Sequence, residues 1–304
     1  DILIENLQTS HQSYLHNTAI LETVYETKAG EVLRVLDFAP RFQMFERNFR
    51  PPTIVRRIEP VKGTPRIKVR IRPTFDYGGT QPKVSIGSNH LRYTGDDRVL
   101  RVTADIGPSF IQDEAPFLLD NPVNLFIGTD ESLSQNPDSL AKHFLHETER
   151  YWQEWSRKLA IPFEWQKAVI RAAITLKLCS YEETGAIVAA LTTSIPEAPN
   201  TGRNWDYRYC WLRDAYFTVN ALNQLGVTRT MEHFVRFLVN TVINEKANLN
   251  PLYPIVTSTD LTEIQAKSLA GFRGMGPVRI GNAAVDQKQS DVLGEVMSAL
   301  DTLN

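Results

Sequence analysis

The chain has 304 residues, of which 42% are apolar and 22% are charged, so it is long and apolar enough for two folded domains. Lys and Arg total 33 against 35 for Asp and Glu, which argues against nucleic acid or an anionic membrane as the main partner and favours a neutral ligand. Cys179 and Cys210 are too few for a disulfide framework or a cysteine-only zinc site.

Residues 1–128 are predicted to form an antiparallel β-sandwich domain. Short segments rich in branched and aromatic residues are separated by Pro, Gly, Asp and Asn, without a helical pattern between them. The predicted strands are residues 19–25, 32–38, 53–58, 67–71, 99–106 and 123–127. From Arg66 to Arg72 charged and apolar residues alternate strictly, which predicts one buried face and one basic face. The basic face is interpreted as a solvated surface, with an anion site as the alternative.

Residues 129–160 follow a helical period and are predicted to be a helical linker between two domains. The helix is expected to start at residues 137–139. Its apolar face is predicted to contain Leu140, Phe144, Tyr151, Trp152 and Trp155. The helix also carries His143, His146 and Glu147, but their spacing matches neither zinc-protease signature. We therefore interpret them as a solvated polar face and predict no metal site.

Residues 161–304 are predicted to be helical. The apolar positions of the predicted helices are Trp165, Ala168, Val169, Ala172, Leu176 and Cys179; Phe217, Ala221, Leu222 and Leu225; Met231, Phe234, Val235, Leu238 and Val242; and Val292, Val296, Ala299, Leu300 and Leu303. Long connections at residues 182–209 and 244–287 separate some of these helices, and loops of this length are usually functional. The pattern favours helix pairs arranged in a toroid with a site on the loop side.

The second long connection contains a glycine-rich stretch at residues 271–281. Gly274 and Gly276 lack a third glycine at the spacing of a dinucleotide site, and no clear strand precedes them. The glycines are therefore predicted to let the loop approach other backbone closely, and no cofactor is predicted.

The segment from Arg203 to Gly226 has the most distinctive chemistry. It opens with Arg203, Trp205, Asp206, Tyr207, Arg208, Tyr209, Trp211, Arg213 and Asp214. An apolar helix follows, which Gly226 is expected to end. Trp211 and Asp214 are predicted to share a helix face, and Arg213 and Asp214 to lie in its first turn, where backbone N–H groups are free.

These residue types leave two interpretations open. Aromatic rings suit the C–H face of a pyranose, and Arg and Asp suit its hydroxyl groups, which indicates a sugar site. The alternative is a structural Arg–Asp pair at a buried helix start, because buried charges require partners.

Several stretches of the sequence resemble glycoside hydrolase family 15, the group of glucoamylases, glucodextranases and bacterial trehalases. They are residues 184–190 (TGAIVAA), 192–197 (TTSIPE), 203–215 (RNWDYRYCWLRDA) and 271–284, which contains GFRG and RIGNAA. The stretch at 203–215 is highly specific, and the front half of the chain looks like the N-terminal β-sandwich of the family. The resemblance thus extends over nearly the whole chain and favours the sugar-site interpretation.

The resemblance implies a β-sandwich followed by an (α/α)6 barrel, with residues 161–304 as the beginning of a catalytic barrel. In the family the pattern W-x-R-D lines the subsite of the non-reducing sugar. Carried over, Trp211 would pack near the sugar ring, and Arg213 and Asp214 would hold its hydroxyl groups. Tyr207 matches the tyrosine that faces the developing oxocarbenium ion.

A second, less specific resemblance places Gln289 and Asp291 in the pocket. The short stretch Gln289-Ser290-Asp291 is similar to another pocket-lining segment of the family. A plain helix start explains it equally well.

The resemblance also implies inverting hydrolysis of an α-glucosidic bond, in which one glutamic acid protonates the leaving oxygen and a second glutamate activates water. In the family the acid follows the fifth barrel helix and the base lies near the last helix pair, whereas about four barrel helices are predicted before Asn304. Both glutamates are therefore expected beyond Asn304, in a longer enzyme of which this chain is an internal and, by itself, inactive piece. The available carboxylates, none of which matches either role, are Glu197, Asp206, Asp214, Asp291 and Glu295.

The predicted partner is an α-glucoside such as a maltooligosaccharide, a starch-like glucan, an isomaltoside or trehalose, with the linkage left open. Two other functions stay open: an inverting disaccharide phosphorylase and a non-catalytic glycan-binding protein. No nucleic acid or membrane partner is predicted, and the oligomeric state is left open. A cytoplasmic location is expected because no signal peptide is visible, although secretion stays open because the chain begins at Asp1.

Overall fold

The computed structural model describes residues 1–245, 249–256 and 259–301. The chain divides into two compact units. The first comprises residues 1–76 and 80–157, and the second comprises residues 77–79 and 158–304. The first is rich in antiparallel strands and the second contains most of the helices, so an antiparallel β-rich region is followed by helices, as the sequence predicts.

The first unit is built on two antiparallel sheets. Its strands are β1 (Ile2–Ile4), β2 (Leu7–Tyr14), β3 (Leu21–Thr27), β4 (Val32–Phe38), β5 (Phe42–Met44), β6 (Arg47–Phe49), β7 (Ile54–Lys62), β8 (Arg66–Val69), β9 (Lys83–Ile86), β10 (His90–Thr94), β11 (Val99–Ala104), β12 (Phe117–Leu118) and β13 (Val123–Gly128). The larger sheet has the order β2-β3-β4-β7-β13-β11-β10-β9, and the smaller sheet has the order β1-β8-β12. A separate hairpin pairs β5 with β6.

The two sheets share one apolar core. Leu33, Ile58 and Leu125 of the larger sheet are buried in the same cluster as Ile67 and Val69 of β8. The strict alternation predicted around Arg66 is confirmed, because burial alternates residue by residue along β8. This alternation follows from the two-residue period of a strand that has one face on a core.

The predicted strands are confirmed to within a few residues at each end, and residues 32–38 match β4 directly. The sequence pattern did not predict the other strands of this unit, which are β1, β2, β5, β6, β9, β10 and β12. β2 and β9 are exposed along their whole length. β2 has no apolar alternation to reveal it, and in β9 only Val84 and Ile86 alternate with polar residues, which is too short a pattern. Pairing with β3 and β10 keeps these edge segments in the sheet.

Two helices belong to the first unit, namely the short α1 (Pro108–Gln112) and the long α2 (Pro137–Arg157). The predicted start of α2 is confirmed, and Leu140, Ala141 and Trp152 are among its buried residues. Leu140 and Ala141 join the cluster of Phe38 and Phe126 from the larger sheet.

The helices of the second unit are α3 (Gln166–Cys179), α4 (Leu212–Gln224), α5 (Thr228–Glu245) and α6 (Asp291–Asp301). The buried face predicted for α5 is confirmed at Phe234 and Leu238, and the face of α6 at Val292, Val296 and Ala299. They pack in one core with α4. The predicted positions Val242, Leu300 and Leu303 lie outside the residues whose side chains are described.

The face predicted for α3 is only partly right, because Cys179 packs against the core whereas other predicted positions do not. Trp165 precedes the helix and is 78% exposed, and Ala168 and Ala172 are also exposed. Ile170, Ala173 and Ile174 are buried instead. Apolar residues lie on more than one side of this helix, so the period alone did not identify the side that meets a partner.

Short ladders organise the long connections of the second unit. β14 (Cys210–Trp211) pairs with β15 (Leu252–Tyr253), and β16 (Ile264–Gln265) pairs with β17 (Arg279–Ile280). The prediction for the glycine-rich stretch is confirmed at Gly271 and Gly281. A Cβ at Gly281 would lie 2.1 Å from the Thr262 carbonyl oxygen, and one at Gly271 would lie 2.7 Å from that of Met275. Both glycines also have positive φ angles, which other residues rarely adopt.

Candidate functional site

The site predicted from residues 203–226 begins at the N-terminus of α4. The prediction that Trp211 and Asp214 share a helix face is wrong. Trp211 is the extended residue before the helix and pairs with Leu252 across the β14–β15 ladder. Arg213 and Asp214 lie in the first turn of α4, as predicted. The ladder therefore fixes the direction from which the chain enters the helix.

The rest of α4 anchors this turn in the core. Gly226 ends the helix as predicted, with a φ of +81°, and its N–H donates to the Asn223 carbonyl while Val227 N–H donates to that of Leu222. These two bonds form a Schellman motif. The predicted apolar face is wrong at Phe217 and Ala221, which are exposed. The buried residues of α4 are Leu212, Ala215, Val219 and Leu222.

Arg213 brings together two of the predicted carboxylates. Its Nη2 donates to Asp214 Oδ2 at 3.3 Å, and its Nη1 donates to Asp291 Oδ2 at 3.1 Å. Asp291 is the first residue of α6, so the contact joins the N-terminal turns of two helices. The side chains of Arg213, Asp214 and Asp291 are 42%, 42% and 39% exposed. We call these three residues the open charge cluster.

The open charge cluster can bind polar groups. Ion pairs this exposed contribute little to stability, about 0–1 kcal/mol. A guanidinium has five N–H donors, and two of them are used here. The remaining donors and the carboxylate lone pairs can form the hydrogen bonds that adjacent sugar hydroxyls require.

Tyr207 and Trp211 form the aromatic part of the site. Their ring centroids are 5.8 Å apart at an interplanar angle of 50°. Trp211 is only 7% exposed and packs with Tyr209 and Leu252, whereas Tyr207 is partly exposed at the margin of this cluster. Tyr207 is therefore the more exposed of the two aromatic residues, and it packs against the buried Trp211.

The Tyr207 hydroxyl donates to Glu197 Oε1 at 3.3 Å. Burial raises the pKa of Tyr207, and the negative charge of Glu197 raises it further. The tyrosine is therefore a neutral phenol near neutral pH, with its proton directed at a carboxylate. Sequence reasoning missed this contact, for which the TTSIPE stretch at residues 192–197 is the available signal.

Gln289 is placed differently from the other predicted residues. It is partly buried, and its Nε2 donates to Oε1 of Gln287 at 3.1 Å, in the same segment just before α6. This bond is local, whereas Asp291 reaches Arg213 across 78 positions. Of Gln289 and Asp291, Asp291 contacts Arg213, whereas the described hydrogen bond of Gln289 is to Gln287.

A buried polar network supports the segment that carries Tyr207. Asp206 is 0% exposed and accepts from Arg208 Nε at 2.9 Å and from Arg208 Nη2 at 2.8 Å. Asn282 Nδ2 donates to the Asp206 carbonyl oxygen at 3.1 Å. Arg208 Nη2 also donates to the Tyr77 hydroxyl at 2.9 Å, and the hydrogen bond to Asp206 raises the arginine pKa. Sequence reasoning missed Tyr77, since 131 positions separate it from Arg208.

Within residues 1–245, 249–256 and 259–301, no group of three or more His, Cys, Asp or Glu side chains is arranged to hold a metal ion. In the same residues no helix is both long and apolar enough to cross a bilayer.

Comparison with known proteins gives the site a family context. The family described as glycosyl hydrolases family 15 matches residues 165–303, which include α4, α5, α6 and the open charge cluster. A trehalase of Thermoplasma acidophilum is 29% identical over 95% of this chain and 50% of its own length. A trehalase of Mycobacterium tuberculosis is 29% identical over 95% of this chain and 47% of its own length.

A shorter and stronger similarity is found with trehalase 1 of Sulfolobus acidocaldarius, which is 38% identical over 121 residues, or 40% of this chain and 22% of the relative. The chain spans about half the length of the first two curated relatives. The family match covers the helical unit that carries the site, and the similarity to trehalases extends through the β-rich unit. Residues 165–303 therefore match glycosyl hydrolase family 15, and the similarity over 95% of the chain is to trehalases.

Proposed function

We propose that the gene product containing this chain hydrolyses the α-glucosidic bond of a small α-glucoside, with trehalose as the first substrate to test. The observation that carries the proposal is the open charge cluster in the first turns of α4 and α6, together with the partly exposed Tyr207, which packs on Trp211 directly before α4. Arg213 with two carboxylates offers donors and acceptors for adjacent hydroxyl groups, and the aromatic ring offers an apolar face for the pyranose. The trehalases among the relatives support a disaccharide as the substrate.

The proposed mechanism is inverting hydrolysis by an acid and a base supplied by residues outside this chain. The carboxylates at the site already have cationic or phenolic partners: Asp214 and Asp291 pair with Arg213, and Glu197 contacts Tyr207. A general acid is commonly buried among apolar groups, whereas the side chains of Glu197, Asp214 and Asp291 are 40%, 42% and 39% exposed. We assign Arg213, Asp214 and Asp291 to sugar binding, with Tyr207 facing the reacting ring.

The experiment is to incubate the complete gene product with trehalose, maltose, isomaltose and soluble starch, and to follow the anomers of released glucose by NMR. Inverting hydrolysis of trehalose yields one β-glucose and one α-glucose per bond, because only the attacked carbon inverts, whereas retention yields only α-glucose. We expect the inverting result without added phosphate. The isolated 304-residue chain is expected to release no glucose.

Three outcomes would contradict parts of this proposal. Release only in the presence of phosphate would indicate a phosphorylase, and sugar binding without turnover would indicate a glycan-binding protein. Turnover by the isolated chain would show that the acid and base lie within residues 1–304.

A further inference from the structure

Glu197 is held beside the site by the antiparallel approach of two loop segments. Thr193 forms a β-bridge with Asp206, and Ser194 N–H donates to the Trp205 carbonyl oxygen at 2.8 Å. Glu197 N–H then donates to the Arg203 carbonyl oxygen at 2.9 Å. These bonds fix the backbone of Glu197 relative to the segment that carries Tyr207.

The side chain of Glu197 bridges two residues of that segment. Its Oε1 accepts from the Tyr207 hydroxyl at 3.3 Å, and its Oε2 accepts from Arg203 Nε at 2.9 Å. The Arg203 guanidinium lies over the Trp205 ring at 5.4 Å. Each carboxylate oxygen therefore has a separate partner, which restricts the rotation of the carboxylate and directs one oxygen at the phenol.

A simpler explanation is that Glu197 only forms an exposed ion pair with Arg203. That explanation accounts for the position of Oε2 but not for the contact of Oε1 with Tyr207. The Glu197 and Arg203 side chains are 40% and 67% exposed, and such pairs contribute little to folding. The second oxygen is directed instead at the hydroxyl of the partly exposed aromatic residue of the site. This contact determines which way the hydroxyl proton points.

We propose that Glu197 is a positioning residue that acts through Tyr207: it accepts the hydrogen bond from the phenol hydroxyl and so turns the lone pairs of the phenol oxygen toward the bound sugar. This inference rests on the proposed function. An ionised acceptor draws the phenolic proton and increases the electron density on Oη. Such an oxygen stabilises positive charge that develops on the sugar ring more than it stabilises the neutral ground state, so the effect falls on kcat.

The test is a double-mutant cycle in the complete gene product, with Glu197→Ala, Tyr207→Phe and the double variant. We expect Glu197→Ala to reduce kcat on the best α-glucoside about tenfold with KM changed less than about threefold. In the Tyr207→Phe background, Glu197→Ala is expected to change kcat less than about twofold, because the hydroxyl through which it acts is gone. Glu197→Gln keeps an oxygen acceptor and is expected to recover part of the lost rate.

The matched control is Glu232→Ala, which removes an exposed glutamate from α5 and is expected to leave both constants unchanged. Equal losses from Glu197→Ala in the wild-type and Tyr207→Phe backgrounds would overturn the inference, as would an unchanged kcat for Glu197→Ala. A loss mainly in KM would also contradict it, because that pattern indicates equal binding of ground state and transition state.

A second measurement does not depend on turnover, so it separates this inference from the proposed function. NMR of ring-labelled tyrosine follows the titration of Tyr207, which is assigned by its absence in Tyr207→Phe. The Glu197 charge raises the pKa of Tyr207, so Glu197→Ala should lower this pKa toward its ordinary value, while burial keeps it raised. An unchanged Tyr207 pKa would refute the contact even if no α-glucoside is hydrolysed.

Discussion

Two Arg–Asp pairs lie a few residues apart in the same segment, and they differ in burial. Asp206 is fully buried and is held by two hydrogen bonds from Arg208. Asp214 is exposed to solvent and shares Arg213 with Asp291. Asp206 also accepts the Arg208 backbone N–H and a bond from Asn282, and Arg208 donates to Tyr77. The contacts of Arg213 with its two carboxylates are longer and lie at two helix N-termini.

This difference in burial distinguishes a structural role from a ligand-binding role, which the residue types alone left undecided. A fully buried carboxylate whose two oxygens are both paired is not accessible to a ligand, so Asp206 and its partner Arg208 serve structure. An exposed arginine with unused donors can exchange water for a ligand at little cost in folding, so Arg213 suits binding. The contacts of Asp206 and Arg208 fit the structural interpretation, and the sugar-site interpretation stays a prediction for Arg213 and Asp214.

The largest expected effect is on stability, from Asp206→Ala. Removal of the carboxylate leaves the Arg208 backbone N–H and guanidinium without their acceptor, and because the guanidinium is 34% exposed we expect a loss of about 3 kcal/mol. Urea denaturation of the complete gene product measures the change in the free energy of unfolding. Asp96→Ala, at an exposed bend of the first unit, is the control and is expected to stay within about 0.5 kcal/mol. A loss below about 1 kcal/mol for Asp206→Ala would mean that the buried pair does not anchor the segment.

Arg213→Ala should give the opposite pattern, with a large loss of activity and little loss of stability. We expect kcat/KM on the best α-glucoside to fall about 100-fold or more, because bound hydroxyl groups and two carboxylates lose their charged donor. The free energy of unfolding should change by less than about 1 kcal/mol, since the ion pairs are exposed.

The matched control for Arg213→Ala is Arg229→Ala, at an exposed position in the first turn of α5. Steady-state kinetics and urea denaturation of both variants separate binding from folding. Unchanged kinetics of Arg213→Ala on every α-glucoside tested would remove Arg213 from the site and would leave the open charge cluster without a function.

The smallest expected effect is that of Gln289→Ala. Gln289 has a local hydrogen bond to Gln287, and this bond can be replaced by water. We expect kcat/KM to fall less than about threefold, against at least about tenfold for Asp291→Asn, which weakens the contact with Arg213. A loss from Gln289→Ala as large as that from Asp291→Asn would place Gln289 in the pocket and extend the site along the segment before α6.

Much of the fold could be predicted from local patterns. β4, β8, α2 and the end of α4 at Gly226 followed from alternation, helical period and capping, which act over a few neighbouring residues. The exposed strands β2 and β9 could not be predicted in this way, because pairing with a neighbour rather than burial holds them in the sheet. The buried faces of α3 and α4 were partly mistaken for a related reason: apolar residues occur on several sides of both helices, and only the neighbours decide which side is covered.

By itself, the sequence determined the chemistry of residues 203–214 and predicted four side chains of the candidate site, namely Tyr207, Trp211, Arg213 and Asp214. A dense run of aromatic and charged residues at a helix start is visible without coordinates, because its members are neighbours in the chain. The tertiary structure alone decided the rest. It placed Asp291 against Arg213, Glu197 against Tyr207, and Tyr77 against Arg208. These partners lie 10 to 131 positions apart, so only the packing of the helices and the pairing of the loops bring them together.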